Sequence, residues 1–201
     1  ISGSVNDLGN FNDDQGWTID VAEGKTVNYT GQSIAVNGHK LILKSDSSDV
    51  GATFNNTNPI LLNNVDSYLK FDSVMTVGSV STNASINSGR GILIDESSSI
   101  SQLSVTGDLE VSIDSGKTLS GLVTIESGSV RLVKTGTLAS DVSMSGGTLD
   151  ADNNLTVSGV FSHTADITID VASGKTLTYS GTAIGVGANS ITLSGGGTFT
   201  S

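Results

Sequence analysis

Two closely spaced carboxylates are the residues of this chain whose type and spacing come nearest to a chemical site. Asp150 and Asp152 lie two residues apart in the segment TLDADNN, so on a β-strand both side chains would point to the same side. Hydrolysis of a glycosidic bond uses two carboxylates about 5 to 10 Å apart. The same two residues also suit a solvated turn, and both interpretations stay open at this point.

Calcium is the small ligand that the acidic segments favour. Oxygen donors concentrate in Asp150–Asn154, Asn12–Asp14 and Ser45–Asp49, and carboxylate and amide oxygens are the ligands that Ca²⁺ takes. None of the three segments matches an EF-hand loop or a glycine-rich nonapeptide repeat, and solvated Asx residues that form turns are the favoured explanation. No other cofactor is expected. The candidate calcium ligands are Asp13, Asp14, Asp150 and Asp152.

Other catalytic motifs are incomplete. His39 and His163 do not have the H-x-x-x-H spacing of a zinc site, and the chain has no Cys. We expect both histidines at surface turns. The phrase x-G-K-T occurs at Gly24, Gly116 and Gly174, but it lacks the first glycine of a phosphate loop and predicts a β-turn with a solvated Lys. The sequence therefore predicts a protein that is not an enzyme.

Charge and composition exclude several classes of protein. The 201 residues include 9 Lys and Arg against 20 Asp and Glu, for a formal net charge of -11. Such a chain repels nucleic acid, whose binding depends on cationic side chains at the phosphates. No apolar run approaches the roughly 18 residues of a membrane span. With 25 Gly, a single Pro and 4% aromatic residues, the composition favours short strands joined by tight turns.

An internal repeat is the main evidence for the fold. Residues 18–43 return as residues 168–193 at an offset of 150 without a gap, and the match extends to 9–43 and 159–193. Ile19 and Val21, like Ile169 and Val171, keep the spacing of two that inward positions on a strand require. Stacked coils return in phase in this way, so we predict one continuous β-solenoid over 1–201. We expect further copies of the repeat or capping segments outside this sequence.

The strands are predicted to be short, with one irregular region. Segment 46–64 lacks regular alternation and predicts a long turn or side loop. Regular T-x-T ladders are missing, because Thr26 is followed by Asn28 where the second copy has Thr176 and Thr178. The alternating runs predict strands at Leu109–Ile113, Leu122–Ile125, Val130–Val133 and Leu155–Phe161.

Residues 121–159, GLVTIESGSVRLVKTGTLASDVSMSGGTLDADNNLTVSG, resemble the passenger and stalk regions of autotransporter and filamentous-haemagglutinin-like bacterial adhesins. The resemblance implies a right-handed parallel β-helix of about eight to ten coils in a secreted, extracellular surface protein. It implies a structural or adhesive module that contacts neighbouring copies or repeats through its ends, and cell-surface or matrix glycans as further partners. The alternatives are a carbohydrate-active β-helix enzyme, such as a polysaccharide lyase or hydrolase, and a host-binding protein like a phage tail fibre.

Overall fold

The computed structural model describes residues 3–5, 16–46 and 50–201, and side chains within the last two ranges. The described residues are all β and form 23 strands. This part of the chain contains no helix with the length and apolarity that crossing a membrane requires. The strands are β1 Gly3–Val5, β2 Trp17–Asp20, β3 Thr26–Tyr29, β4 Ile34–Ala35, β5 Lys40–Lys44, β6 Ala52–Asn56, β7 Ile60–Leu62, β8 Tyr68–Phe71, β9 Met75–Thr82, β10 Gly91–Ile94, β11 Ser98–Val105, β12 Leu109–Ile113, β13 Thr118–Ile125, β14 Ser129–Leu132, β15 Thr137–Leu138, β16 Asp141–Met144, β17 Thr148–Ala151, β18 Leu155–Val157, β19 Phe161–His163, β20 Ile167–Val171, β21 Thr176–Tyr179, β22 Ile191–Gly195 and β23 Thr198–Thr200.

The strands stack as a parallel β-solenoid of about 8 turns, which confirms the predicted fold class. The strands form two sheets. The first sheet has 14 strands, and its longest path runs β1-β3-β6-β9-β11-β13-β15-β18-β21-β23. The second sheet has one strand from each turn, in the order β2-β5-β8-β10-β12-β14-β17-β20-β22. Because β2 and β20 are seven steps apart in the second sheet, the 150-residue offset corresponds to seven coils.

Alternation along each strand builds the core. In β17 and β20 the buried side chains alternate with half-buried ones, because successive residues of a strand point to opposite faces. The inward Val, Ile, Leu and Phe side chains join those of the coils above and below in one apolar cluster. Each coil is too thin to bury its own side chains, so its stability depends on its neighbours.

A sharp corner divides the first sheet, and Gly121 shows why the sequence needs glycine there. The long strand β13 pairs with β15 before the corner and with β16 after it. Gly121 has a φ of 117°, and a Cβ at this position would lie 1.8 Å from the carbonyl oxygen of Ile100 on the neighbouring coil. Only a residue without a side chain permits this approach.

Positions that are 150 residues apart occupy equivalent places in the solenoid. Ile19 and Ile169 both face the core from the second sheet, on β2 and β20. Tyr29 and Tyr179 are both buried at the ends of β3 and β21 in the first sheet. The apolar repeat therefore corresponds to a repeat of inward positions.

The x-G-K-T phrases form the predicted β-turns. The backbone N–H of Lys117 donates to the carbonyl oxygen of Asp114, and the same bond is made by Lys25 to Ala22 and by Lys175 to Ala172. The glycine before each lysine has a positive φ, between 64° and 74°. Lys117 differs from a solvated lysine, because its Nζ lies 2.5 Å from Oε2 of Glu96.

The expectations for segment 46–64 and for His163 were wrong. Within segment 46–64 the structure has regular strands, β6 and β7, and only residues 47–49 are outside the described part. The half-buried His163 lies on β19, and its Nδ1 contacts the carbonyl oxygen of Ala165 at 2.9 Å, so it is not at a surface turn. Strand register also places one threonine from each of five coils in a single row, which is not a T-x-T ladder: Thr118, Thr137, Thr156, Thr178 and Thr200.

Candidate functional site

A row of polar and charged side chains crosses the outer face of the second sheet. Parallel pairing places one residue from each coil in this row, so neighbours lie roughly 4.8 Å apart along the solenoid axis. The pairing of Ile92 with Val111 also sets Gly91 beside Glu110. We call these eight residues the outer row: Lys40, Tyr68, Gly91, Glu110, Arg131, Asp150, Asp170 and Ser194.

Glu110 is the most enclosed charge of the outer row, with 7% of its side chain exposed. Its carboxylate accepts hydrogen bonds from the backbone N–H of Gly89 at 3.1 Å and from Oγ of Ser88 at 3.2 Å, and it forms an ion pair with Arg131. A buried carboxylate requires such partners. Arg131 also reaches Asp152, with Nη1 3.5 Å from Oδ2. Three successive coils are thereby joined by a charge network.

Asp150 and Asp152 lie on the same outer side, as the spacing of two predicts for a strand. Burial raises the pKa of Asp150 to about 6, and the charges of Asp152 and Asp170 add to the effect, whereas Arg131 opposes it. Asp170 is the in-register neighbour of Asp150 on β20 and accepts a hydrogen bond from Ser194. Asp150 therefore exchanges its proton close to neutral pH.

Calcium binding at these carboxylates remains a prediction. Within residues 16–46 and 50–201, no group of three or more His, Asp or Glu side chains is arranged to hold a metal ion. Asp152 is already paired with Arg131. The other two candidate ligands, Asp13 and Asp14, lie outside the described residues.

A groove opens in the outer row at Gly91. Because Gly91 has no side chain, and a Cβ there would lie 2.3 Å from the carbonyl oxygen of Glu110, the row has a gap between Tyr68 and Glu110. Beside this position lies a half-open depression of about 390 Å³ on the outer face. We call it the Gly91 groove; its lining residues are Tyr68, Gly89, Arg90, Ile92, Leu93, Glu110, Ser112, Val133 and Lys134.

Comparison with protein-family models, with curated proteins and with solved structures yields no match for this chain. The fold and the outer row are therefore interpreted from their own geometry. The resemblance of residues 121–159 to adhesin passenger regions stays a prediction from sequence.

Sequence reasoning singled out Asp150 and Asp152 but missed the residues that accompany them. Glu110, Arg131 and Asp170 are separated from their neighbours in the outer row by about one coil of sequence. A constant coil length would have revealed the row. The coil lengths vary, however, because successive residues of the row from Glu110 to Arg131, then to Asp150 and then to Asp170 are separated by 21, 19 and 20 residues.

Replacement of Asp150 by Asn is expected to stabilise the fold at high pH only. The folded state holds the Asp150 proton more tightly than the unfolded chain does, since the pKa rises from 3.8 to about 6. The free energy of unfolding of the native protein therefore falls as pH rises between these two values and stays lower above them. Urea unfolding at about pH 8 should show the variant more stable by on the order of 1 kcal/mol, after allowance for solvent screening.

At about pH 4 this advantage should be largely gone, because the native carboxyl is then mostly protonated in the folded state. Glu126→Gln, at an exposed carboxylate, is the matched control and should show no such pH-dependent gain. An Asp150→Asn variant that was equally stable or less stable than the native protein at both pH values would contradict the assignment of a half-buried Asp150 next to other carboxylates.

Proposed function

We propose that this chain is a rod-like structural module that is extended by stacking of further coils. The parallel β-solenoid supports this function, because each coil contacts only the coils next to it and the solenoid grows in one dimension. The finer proposal places the rod in a secreted adhesive or fibre protein of the cell surface. It is supported by the resemblance of residues 121–159 to adhesin passenger regions and by a net charge of -11, which keeps such chains soluble.

One observation carries the rod proposal: the apolar side chains of one coil are covered by the next coil of the same pattern. Val36 and Leu43 have 5% and 0% of their surface exposed, whereas Val186 and Leu193, 150 residues later, have 50% and 58% exposed. The first copy therefore shows what covers this surface.

The cover in the first copy is the next coil. Ile34 pairs with Ile60 of β7, and Leu43 pairs with Phe71 of β8. The corresponding face of the second copy includes Ile184, Val186 and Leu193, and we call it the C-terminal end face. A coil of the same pattern, from the continuing chain or from a neighbouring copy, would bury these side chains at about 25 cal/mol per Å².

Adding one coil tests this proposal. Residues 44–71 of the chain, joined after Leu193 in place of 194–201, should stack on the C-terminal end face as they stack on residues 34–43. We expect the melting temperature to rise by roughly 2–4 °C for each kcal/mol gained. Hydrogen exchange should show protected amides in the added coil.

The matched control is the same extension with Ser at the copies of Phe54, Ile60 and Leu62, three fully buried side chains. This control should leave the melting temperature close to that of the native chain, because the added coil has no apolar side to bury. Equal melting temperatures for the two extended chains would reject the end face as a stacking surface.

A carbohydrate-active enzyme is the second candidate function, and one specific observation favours it. Asp150, Asp152 and Asp170 lie with Arg131 on one outer face, and a carboxyl with a pKa of about 6 is suited to donate a proton near neutral pH. Asp150 and Asp170 are directly paired in register, a separation of the order that retaining glycosidases use. Release of reducing ends from polysaccharides by the native protein, and its loss in Asp150→Asn, would establish this function.

A further inference from the structure

We propose that the Gly91 groove binds one unit of a uronate-containing polysaccharide, with the ring against Tyr68 and the carboxylate at Arg90. This inference goes beyond the rod function and does not depend on it. A rod without a glycan site and a glycan site on a rod that never extends are both physically possible. The two tests therefore fail separately.

The ring of Tyr68 supplies the platform. Strand register places Lys40 on one side of Tyr68 and Gly91 on the other. Lys40 Nζ lies over the ring, 5.7 Å from its centroid, and the half-buried ring also lines the groove. Aromatic rings present a flat apolar surface with a polar tip, which matches the C–H face of a sugar ring and its hydroxyl edge.

Arg90 supplies the charge for a carboxylate. Arg90 is in none of the ion pairs found among residues 16–46 and 50–201. The cations that form those pairs are Lys44, Lys70, Lys117, Arg131 and Lys134. Its backbone is fixed by the bond from its N–H to the carbonyl oxygen of Asn87, while its side chain is exposed at the mouth of the groove. A guanidinium group binds a planar carboxylate through two parallel hydrogen bonds.

Lys70 and Lys134 next to the groove already form ion pairs, which makes Arg90 the discriminating group. Lys70 Nζ lies 2.5 Å from Asp72 and 2.9 Å from Asp95. These two hydrogen bonds hold the pKa of Lys70 above its usual value. Lys134 pairs with Asp114 at the other end of the groove. Arg90 is thus the cation of this groove that can accept an anionic ligand without breaking an ion pair.

Hydroxyl recognition comes from the opposite wall. Glu110 is held in place by Gly89, Ser88 and Arg131, and Ser112 lines the groove on the same strand. A fixed carboxylate and a hydroxyl accept and donate hydrogen bonds to sugar hydroxyls. Uronate units offer both features, ring hydroxyls and one carboxylate, whereas neutral sugars would leave Arg90 without a partner.

Calorimetric titration of the full chain with a short oligogalacturonate and with its methyl ester tests the proposal, because the two ligands share their rings and differ only in the carboxylates. We expect the acid form to bind at least about tenfold more tightly than the ester at about 0.15 M salt, the value of one charge-assisted hydrogen bond. At this ionic strength the long-range repulsion from the net charge of -11 is screened beyond about 8 Å, and the preference should shrink only as salt is raised further.

Arg90→Gln should remove the preference for the acid form and leave ester binding unchanged. Tyr68→Ala should weaken both ligands. Lys175→Gln, at a lysine of a turn remote from the groove in the strand order, is the matched charge control and should bind like the native protein. The proposal is overturned if neither ligand binds, if acid and ester bind equally, or if Arg90→Gln keeps the native preference.

Discussion

Phe71→Ala is expected to lower the free energy of unfolding by about 3–5 kcal/mol. The side chain is fully buried in the middle of the stack, where register sets it between Leu43 of the preceding coil and Ile94 of the next one, both with 0% exposure. Removal of the ring opens a cavity that rigidly paired strands on both sides cannot close. Urea unfolding followed by circular dichroism measures the loss.

Leu193→Ala is the matched control for Phe71→Ala. Leu193 also belongs to the second sheet, yet 58% of its surface is exposed, so the loss should stay within about 0.5 kcal/mol. If the two variants lost similar stability, the interior of the solenoid would not be the close-packed stack described above.

Gly121→Ala is expected to be comparably severe, at about 3 kcal/mol or more. An alanine there combines a strained φ of 117° with a Cβ that would lie 1.8 Å from a backbone oxygen of the neighbouring coil, so the two coils must move apart at the corner. Gly116→Ala separates the two causes. Gly116 has a φ of 74° but no atom within 4 Å of the added Cβ, so its cost should be only about 1 kcal/mol.

Thermal melts of the two glycine variants give the comparison directly. We expect the native protein to have the highest melting temperature, Gly116→Ala a slightly lower one and Gly121→Ala a much lower one. A Gly116→Ala chain that melted below Gly121→Ala would mean that close approach between coils does not limit this corner.

The sequence predicted the fold class because inward residues of a strand must be apolar at a spacing of two. The run Leu109–Ile113 was predicted as a strand and is β12 with the same bounds. Leu155–Phe161, in contrast, is divided between β18 and β19 by a turn at residues 158–160. Gly159 occupies this turn, where a Cβ would lie 2.0 Å from the carbonyl oxygen of Ser140.

The prediction failed where polar residues point inward. Asn56 makes segment 46–64 irregular in sequence, yet its buried side chain accepts hydrogen bonds from the backbone N–H groups of Gly78 and Ser79 at 3.0 and 3.2 Å. Asn56 therefore stabilises the corner of the next coil, and β6 pairs with β3 and β9 in the first sheet. An inward amide whose hydrogen bonds are made costs little stability. Its hydrogen-bond partners cannot be identified from sequence before the strand register is known.

The candidate site was predictable only in part for the same reason. Asp150 and Asp152 are adjacent in sequence, so their common face followed from the strand period. Glu110 and Arg90 join the site through stacking, and the gap at Gly91 follows from its close approach to Glu110. Such features depend on which coil lies above which, and coil lengths vary along this chain.

Small-angle X-ray scattering of chains with one, two and three copies of the 150-residue unit tests the central claim most directly. Seven coils for each unit, at a spacing of about 4.8 Å, should lengthen the particle by about 34 Å per added unit. The cross-sectional radius of gyration should stay constant, as in a continuous rod. A cross-section that widened with each unit, or a length that did not grow in equal steps of this size, would contradict a stacked solenoid.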